Sequence, residues 1–434
     1  MSQIVLGWKS GLGSSTKSRW LYNPKRRLDN AITYAAEGHL VTFAPTGAGK
    51  GRNVIIPNLL TYEGPTIVVD PKGENVDVTA EYRERFGPVY VLDPFRVCKD
   101  ADRYFASLNP LDVITKLEMF SPPLIREQRL QETVKEISYM FYPDDASRNK
   151  QNEYWDLGAI GLIQGVLYEL IKSRTIPAEG KHLGTAKELI ADSTFPKLIA
   201  DKFEAKTLLS YSQNAMSAYL QGMGASNIQY MPSIANTMLE CISGQLVVDA
   251  IKKSTIDLID IVNGRNCTIY IVIPPQNLES HGVLLKIWIL TLLTAVMRRR
   301  RIPAQRTLFL LDECAHLGYL ESLQKAVTLM RGYGLQVWMF FQDINQLKVD
   351  YNSWKTIVNN CAVVQAFGVP TPMSANELAE VLDIGGEQLL GLDRGIQMLR
   401  VANHHQLARP DTVEKCDYLK DALFRGKFRR NPRY

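Results

Sequence analysis

An α/β fold, with a mainly parallel sheet flanked by helices and an inserted all-α domain, is what three features of the chain predict. Short β-branched runs recur at Leu40–Phe43, Thr66–Val69, Val89–Leu92, Cys267–Ile273, Thr307–Leu311, Gln336–Phe341 and Ala362–Phe367. Most are apolar without alternation, the mark of strands buried on both faces. Helical spacing fills the intervals, as in Leu284–Arg300 and Leu320–Arg331, which is the strand–helix alternation of parallel crossovers. From Val113 to about Thr255 the strand signals stop. Glu127–Met140, Tyr154–Lys172, Thr185–Ala200, Ala215–Met223 and Ser233–Val247 follow there at helical spacing. The expected division is therefore an α/β domain over 1–112 and 255–434, with an all-α domain over 113–254. Asn109-Pro110-Leu111 marks the insertion, because a residue before proline is biased out of the helix.

Bulk properties narrow the function classes. The 434 residues carry 46% hydrophobic and 22% charged side chains and a net charge of +5, the composition of an ordinary folded protein with room for two or three domains. Six scattered cysteines lack C-x-x-C spacing and several sit in apolar runs, which reads as reduced core residues. The histidines form no metal-ligand pattern. Met1–Lys9 holds no sustained apolar stretch, so no signal peptide is expected. Ile287–Met297, between Lys286 and Arg298, is shorter than the ~20 residues of a membrane span, and a soluble chain is expected. Arg425, Lys427, Arg429, Arg430 and Arg433 crowd the C-terminus, predicting a tail in solvent or on an anionic partner.

The chemistry concentrates at the ends of the apolar runs. His39–Phe43 leads into Ala44-Pro45-Thr46-Gly47-Ala48-Gly49-Lys50-Gly51 and then a helix-compatible segment. Strand, glycine-rich loop and helix together make a phosphate cradle: backbone N–H groups face an anion, the helix sets its positive end there, and the lysine reaches the outer phosphates. Against the usual G-x-x-x-x-G-K-[ST], Ala44 replaces the first glycine and Gly51 the Mg²⁺-binding hydroxyl. Thr46, Gly47, Ala48, Gly49, Lys50, Gly51 and Arg52 are the candidate nucleotide-binding residues. A second acidic strand end is needed to position metal and water. Thr307–Leu311 ends in Asp312-Glu313, with Asp312 expected to hold Mg²⁺ and Glu313 to orient water. Asp70 and Lys72, after Thr66–Val69, are candidates for lining the same site. Gln342, at the tip of the run Leu335–Phe341, is placed to sense the γ-phosphate, and Arg331, on the loop before it, to reach a neighbouring subunit's nucleotide.

Other conspicuous residues read as packing. Tyr154-Trp155 with Leu157, Ile160 and Leu167 follows helical spacing as a core stripe. Arg298–Arg301 ends an apolar helix, where positive charge favours the dipole.

In order and spacing these motifs resemble the coupling proteins of type IV secretion and conjugation, the TraG/TraD-like group. The resemblance rests on Ala44–Gly51 with its GKG ending, Asp70-Pro71-Lys72-Gly73-Glu74, Asn109-Pro110-Leu111-Asp112, Tyr154-Trp155-Asp156, Leu311-Asp312-Glu313, Gly332-Tyr333-Gly334 and Gln342–Leu347. It runs from about Gly38 to Pro410. It implies a RecA-like P-loop ATPase using ATP and Mg²⁺, assembling as a homo-hexamer and moving DNA or protein substrates toward a secretion channel. Implied partners are DNA, a relaxase or relaxosome, secreted proteins, and the channel's ATPases and membrane components. By position, Lys50 matches the loop lysine, Asp312 and Glu313 the second acidic motif, Arg331 the arginine finger and Gln342 the third motif's glutamine. Val113–Ser254 would be the recruitment surface. Relatives generally begin with two transmembrane helices, whereas this chain starts almost directly at the motor, which implies either a soluble fragment or an anchorless relative whose anchor another subunit supplies; the expected setting is the cytoplasmic face of the inner membrane. Two rival readings are an FtsK/HerA-like DNA pump and a recruitment adaptor that binds nucleotide but barely hydrolyses it.

Overall fold

The structure, a computed structural model, describes residues 3–9, 26–142, 152–224, 228–402 and 404–432. It separates into two compact units. One comprises residues 1–105, 260–274 and 296–434, and the other 106–259 and 275–295.

The first unit is built on one 11-stranded sheet. Its strands are β1 (Ile4–Trp8), β2 (Ala31–Tyr34), β3 (His39–Phe43), β4 (Thr66–Val69), β5 (Val89–Leu92), β6 (Thr268–Ile271), β7 (Thr307–Leu311), β8 (Leu335–Phe341), β9 (Cys361–Phe367), β10 (Ile396–Val401) and β11 (Asp411–Glu414). They lie in the order β2-β1-β11-β10-β9-β3-β8-β7-β4-β6-β5. From β9 to β5 every pairing is parallel, and these are the apolar runs of the sequence. β3, β4, β7 and β8 are buried along their whole length. The other four strands add an antiparallel flank. Three of these four give a weak sequence signal. β11 and β2 carry exposed or half-exposed positions, and β1 is a five-residue strand at the chain's start.

Two arginines buried in this unit hold backbone carbonyls of loops and helices. Arg83 donates to the carbonyls of Leu59, Tyr62 and Gly64 and to the Thr66 and Thr268 hydroxyls. Arg299 donates to the carbonyls of Ile261, Tyr333 and Gly334 and to the Thr307 hydroxyl. Arg299 is thus a clamp between strand entries rather than a charge on a helix end.

The C-terminal segment also departs from expectation. Phe424 is buried, Phe428 packs edge-on against Tyr418, and Arg429 pairs with Glu81 and Asp100. The described part of this segment folds back on its own unit because it carries aromatic anchors between its charges. Arg433 lies outside the described residues.

The second unit is helical, with long helices at Pro123–Tyr139 and Glu153–Lys172. The run Thr185–Ala200 divides into Leu183–Ala191 and Phe195–Glu204, because the Asp192 carboxylate ties down the Thr194 backbone N–H and a new helix starts at Phe195. Ser233–Val247 breaks at Gly244, whose φ is +92°. Ile160 and Leu167 are buried as the stripe predicted, whereas Tyr154 and Leu157 are 55% and 42% exposed. Trp155 lies edge-on between Tyr154 and Tyr230. Residues 275–295 of the 23-residue helix Pro275–Met297 belong to this unit. That helix begins well before the apolar run read from the sequence. It is long and apolar enough to cross a bilayer by length and composition, yet 67% of its most apolar window is buried in the structure.

Candidate nucleotide site

Parallel strands deliver their chemistry at the carboxyl edge, where the following loops emerge. Four neighbouring strands, β3, β8, β7 and β4, end there in Ala44–Lys50, Gln342, Asp312-Glu313 and Asp70. Sequence spacing alone named these residues; the register of the sheet brings them to one edge.

The loop after β3 turns on Gly47 and Gly49, with φ of +77° and +90°. At Gly47 and Gly51 an added Cβ would meet nothing within 4 Å, so the cradle opens outward. The first turn of the helix that follows leaves backbone N–H groups without helical partners, next to this loop. Lys50 spans from the loop to β7: its Nζ lies 3.0 Å from Asp312 Oδ1 and 2.5 Å from Glu313 Oε1. Gln342 Nε2 donates to Glu313 Oε2 at 3.1 Å, and Thr46 Oγ1 donates to Gln342 Oε1 at 3.0 Å. Thr46, Gln342, Glu313, Lys50 and Asp312 thus form one chain of polar contacts around the loop.

Glu313 owes its aim to a strained backbone. It sits at φ 57°, ψ 51°, a left-handed conformation that a non-glycine residue adopts at a cost of order 1 kcal/mol. That turn directs its carboxylate back toward Lys50 and Gln342 just where β7 ends. Nothing in the sequence signalled this conformation. Gln342 is free for its role because Asp343, not Gln342, caps the next helix, accepting from Asn345 N at 2.8 Å and Gln346 N at 3.1 Å.

The carboxylates differ electrostatically. Burial raises the Asp312 pKa, with Lys50 opposing. Burial also pushes Glu313 upward, but the closer Lys50 ammonium and the Gln342 amide outweigh it and hold Glu313 below its usual range. Asp70 is fully buried and pushed up to about 7, first by burial and then by the charge of Asp312, although Val76 N donates to it at 3.0 Å. Lys72 is exposed, and its charge acts on Asp312 and Glu313. The donor set suits a phosphate–magnesium ligand: cradle, lysine and one deep carboxylate beside another. Among the described residues no group of three or more His, Cys, Asp or Glu is gathered for an all-protein metal site, so a hard cation here would share its shell between Asp312, phosphate and water.

Two predicted residues stand apart. Arg52 forks onto Asp417, from Nε at 2.8 Å and Nη2 at 2.6 Å. Arg331 precedes β8 whereas Gln342 follows it, so the seven-residue strand separates them by ~23 Å. Arg331 lies at the amino edge, its side chain 62% exposed and 3.7 Å from Glu37. Within one subunit it is out of reach of Lys50.

The family model for type IV secretory system conjugative DNA transfer matches residues 15–383. Protein VirD4 of Rhizobium rhizogenes is 26% identical over 332 residues, covering 74% of this chain and 46% of the relative. The type IV secretion system-coupling protein VirD4 of Bartonella quintana is 24% identical over 349 residues, covering 79% and 52%. The chain thus spans about half the length of the curated relatives it matches. Among solved structures, the bacterial conjugative coupling protein TrwBdeltaN70 superposes with a TM-score of 0.66 at 14% identity, over 95% of this chain and 94% of that one. TrwB in complex with ADP and Mg²⁺ gives 0.64 at 14% identity, over 95% and 93%. These similarities identify the sheet and its flanking helices as a RecA-like P-loop NTPase fold. Most of the sequence lies within the family match and the strand-end motifs lie inside it, so the chain belongs to the type IV secretory system conjugative DNA transfer family.

Proposed function

We propose that this chain is the ATP-hydrolysing motor region of a coupling protein that assembles as a hexamer, binds DNA, and delivers relaxase–DNA or protein substrates to a type IV secretion channel at the cytoplasmic face of the inner membrane. The observation that carries the reading is the contact of Lys50 with Asp312 and Glu313 at the mouth of the glycine loop.

With nucleotide bound, the roles follow from position. Thr46–Gly51 contribute backbone donors to the phosphates, and Lys50 leaves the carboxylates for the β- and γ-phosphate oxygens. Asp312 would hold Mg²⁺, and the ion would supply charge neutralisation at the phosphates. Glu313, released from Lys50 but still hydrogen-bonded to Gln342, polarises the attacking water, and Asp70 and Lys72 border the site. Arg331 acts on the nucleotide of an adjacent subunit, which is why turnover requires assembly. The all-α unit is the face for substrate recruitment.

The test is ATP turnover with and without DNA for the parent, Lys50→Ala and Glu313→Gln. Lys50→Ala abolishes turnover, and Glu313→Gln retains nucleotide binding while turnover drops about 10²–10⁴-fold, the usual contribution of a positioned base. Turnover absent from the parent at high protein concentration with DNA present would overturn the motor reading and leave a recruitment adaptor in its place.

A further inference from the structure

The helix after the phosphate loop does not begin as an α-helix. Gly51–Ile55 is a π-helical turn, a winding that occurs in short pieces, frequently at functional sites. Its two polar side chains are held by one segment far along the chain. Arg52 places Nε and Nη2 of its guanidinium on the two Asp417 oxygens, at 2.8 and 2.6 Å, the forked geometry that fixes direction as well as distance. Asn53 donates from its side-chain amide to the Cys416 carbonyl. The Asn53 Oδ1 lies 2.3 Å from where a Cβ on Gly49 would fall, and Asn53 N donates to the Gly49 carbonyl at 2.8 Å. Asn53 is thereby a wedge under the loop, packed against its second left-handed glycine.

The segment that holds these side chains is itself fixed. Asp421, fully buried, accepts from Asp417 N at 2.6 Å, Trp8 Nε1 at 2.8 Å and Arg26 Nη1 at 2.8 Å. Asp417 Oδ1 also accepts from Leu419 N at 3.1 Å. Cys416 is buried as well. The C-terminal turn is therefore a rigid support whose outward groups are the Asp417 carboxylate and the Cys416 carbonyl, both directed at the first turn after Lys50.

We propose that Asp417 is a positioning residue for the nucleotide site. Through Arg52, and together with the Cys416 carbonyl on Asn53, it holds the Gly49–Lys50 backbone in its anion-cradling shape; Arg52 acts through Asp417 rather than by touching nucleotide. This rests on the nucleotide reading above.

The experiment measures the Kd of a fluorescent ATP analogue, steady-state ATP kinetics and the thermal midpoint. It uses the full chain as parent, Asp417→Ala, Asp417→Asn, the swap Arg52→Asp/Asp417→Arg, and Lys50→Ala as the binding control. Asp417→Ala is expected to weaken analogue binding about tenfold, in line with the loss of a group that orients a ligand-binding shell. KM rises in proportion and kcat at saturating ATP stays at the parent level. Asp417→Asn, which keeps one acceptor, falls between, and the swap recovers most of the loss. Should Asp417→Ala not fold, Asp417→Asn carries the comparison. Parent-like affinity in the Asp417 variants, or a swap no better than Asp417→Ala alone, overturns the proposal while leaving nucleotide binding intact. Absence of Lys50-dependent binding in the parent overturns the nucleotide reading, and this one with it.

Discussion

Lys50 is predicted to stabilise the fold through its two carboxylate partners. Its ammonium is shared by Asp312 and Glu313, and all three side chains keep only 12–14% of their exposure. At that depth the pair is closer to a buried salt bridge than to a surface one, so removing one partner leaves uncompensated charge. Truncation of such a pair costs ~3–5 kcal/mol; the residual exposure argues for the lower end, about 3 kcal/mol. At ~2–4 °C per kcal/mol, Lys50→Ala should lower the thermal midpoint by roughly 6–12 °C. The pH dependence has a definite sign. Lys50 lowers both carboxylate pKa values, so in Lys50→Ala both rise and the native state binds more protons than the unfolded one. Stability then falls as pH rises. The deficit against the parent is largest near pH 8 and shrinks toward pH 5. Circular-dichroism melts of parent, Lys50→Ala and Lys50→Ala/Glu313→Gln at both pH values test this, the double variant recovering part of the loss by removing one of the two facing charges. A Lys50→Ala midpoint equal to the parent's at pH 8, or a deficit that grows on acidification, would refute the reasoning.

Arg83→Leu should cost ~3–5 kcal/mol, because it strands three buried carbonyls and two hydroxyls that Arg83 serves; urea unfolding measures it, and a loss below about 1 kcal/mol contradicts the clamp. Asp70, pushed up to about 7 in the fold, holds its proton more tightly than in the unfolded chain, so its burial erodes stability as pH climbs from about 4 to about 7. Asp70→Asn removes that titration and should gain on the parent between pH 5 and pH 8 in denaturant melts; an unchanged difference across that range counts against a buried, neutral-leaning Asp70. Arg331→Ala should keep nucleotide affinity while turnover of the assembled protein drops about 10³-fold or more, the scale of an arginine finger. Mixing it with Lys50→Ala should restore part of the activity in mixed assemblies, and a lack of such complementation argues against action across subunits.

The sequence by itself determined the parallel half of the sheet, because a strand buried on both faces must be apolar throughout and such runs are legible as composition. It also singled out Lys50, Asp312, Glu313 and Gln342, which the sheet gathers at one edge, since a glycine-rich loop and acidic strand ends are local patterns. The antiparallel flank was not legible: β2 and β11 are short and half exposed, so their pairing comes from neighbours rather than from their own pattern. Helix breaks at Asp192 and Gly244 likewise depend on a local side-chain-to-backbone hydrogen bond and a left-handed glycine that periodicity averages over. Tertiary structure alone decided three further things. The described part of the Arg-rich C-terminal segment folds back through Phe424 and Phe428, and Arg52 is committed to Asp417. Arg331 and Gln342, eleven positions apart in the chain, sit at opposite edges of the sheet. Each of these depends on contacts between residues distant in sequence or on the direction of a strand, and local composition carries neither.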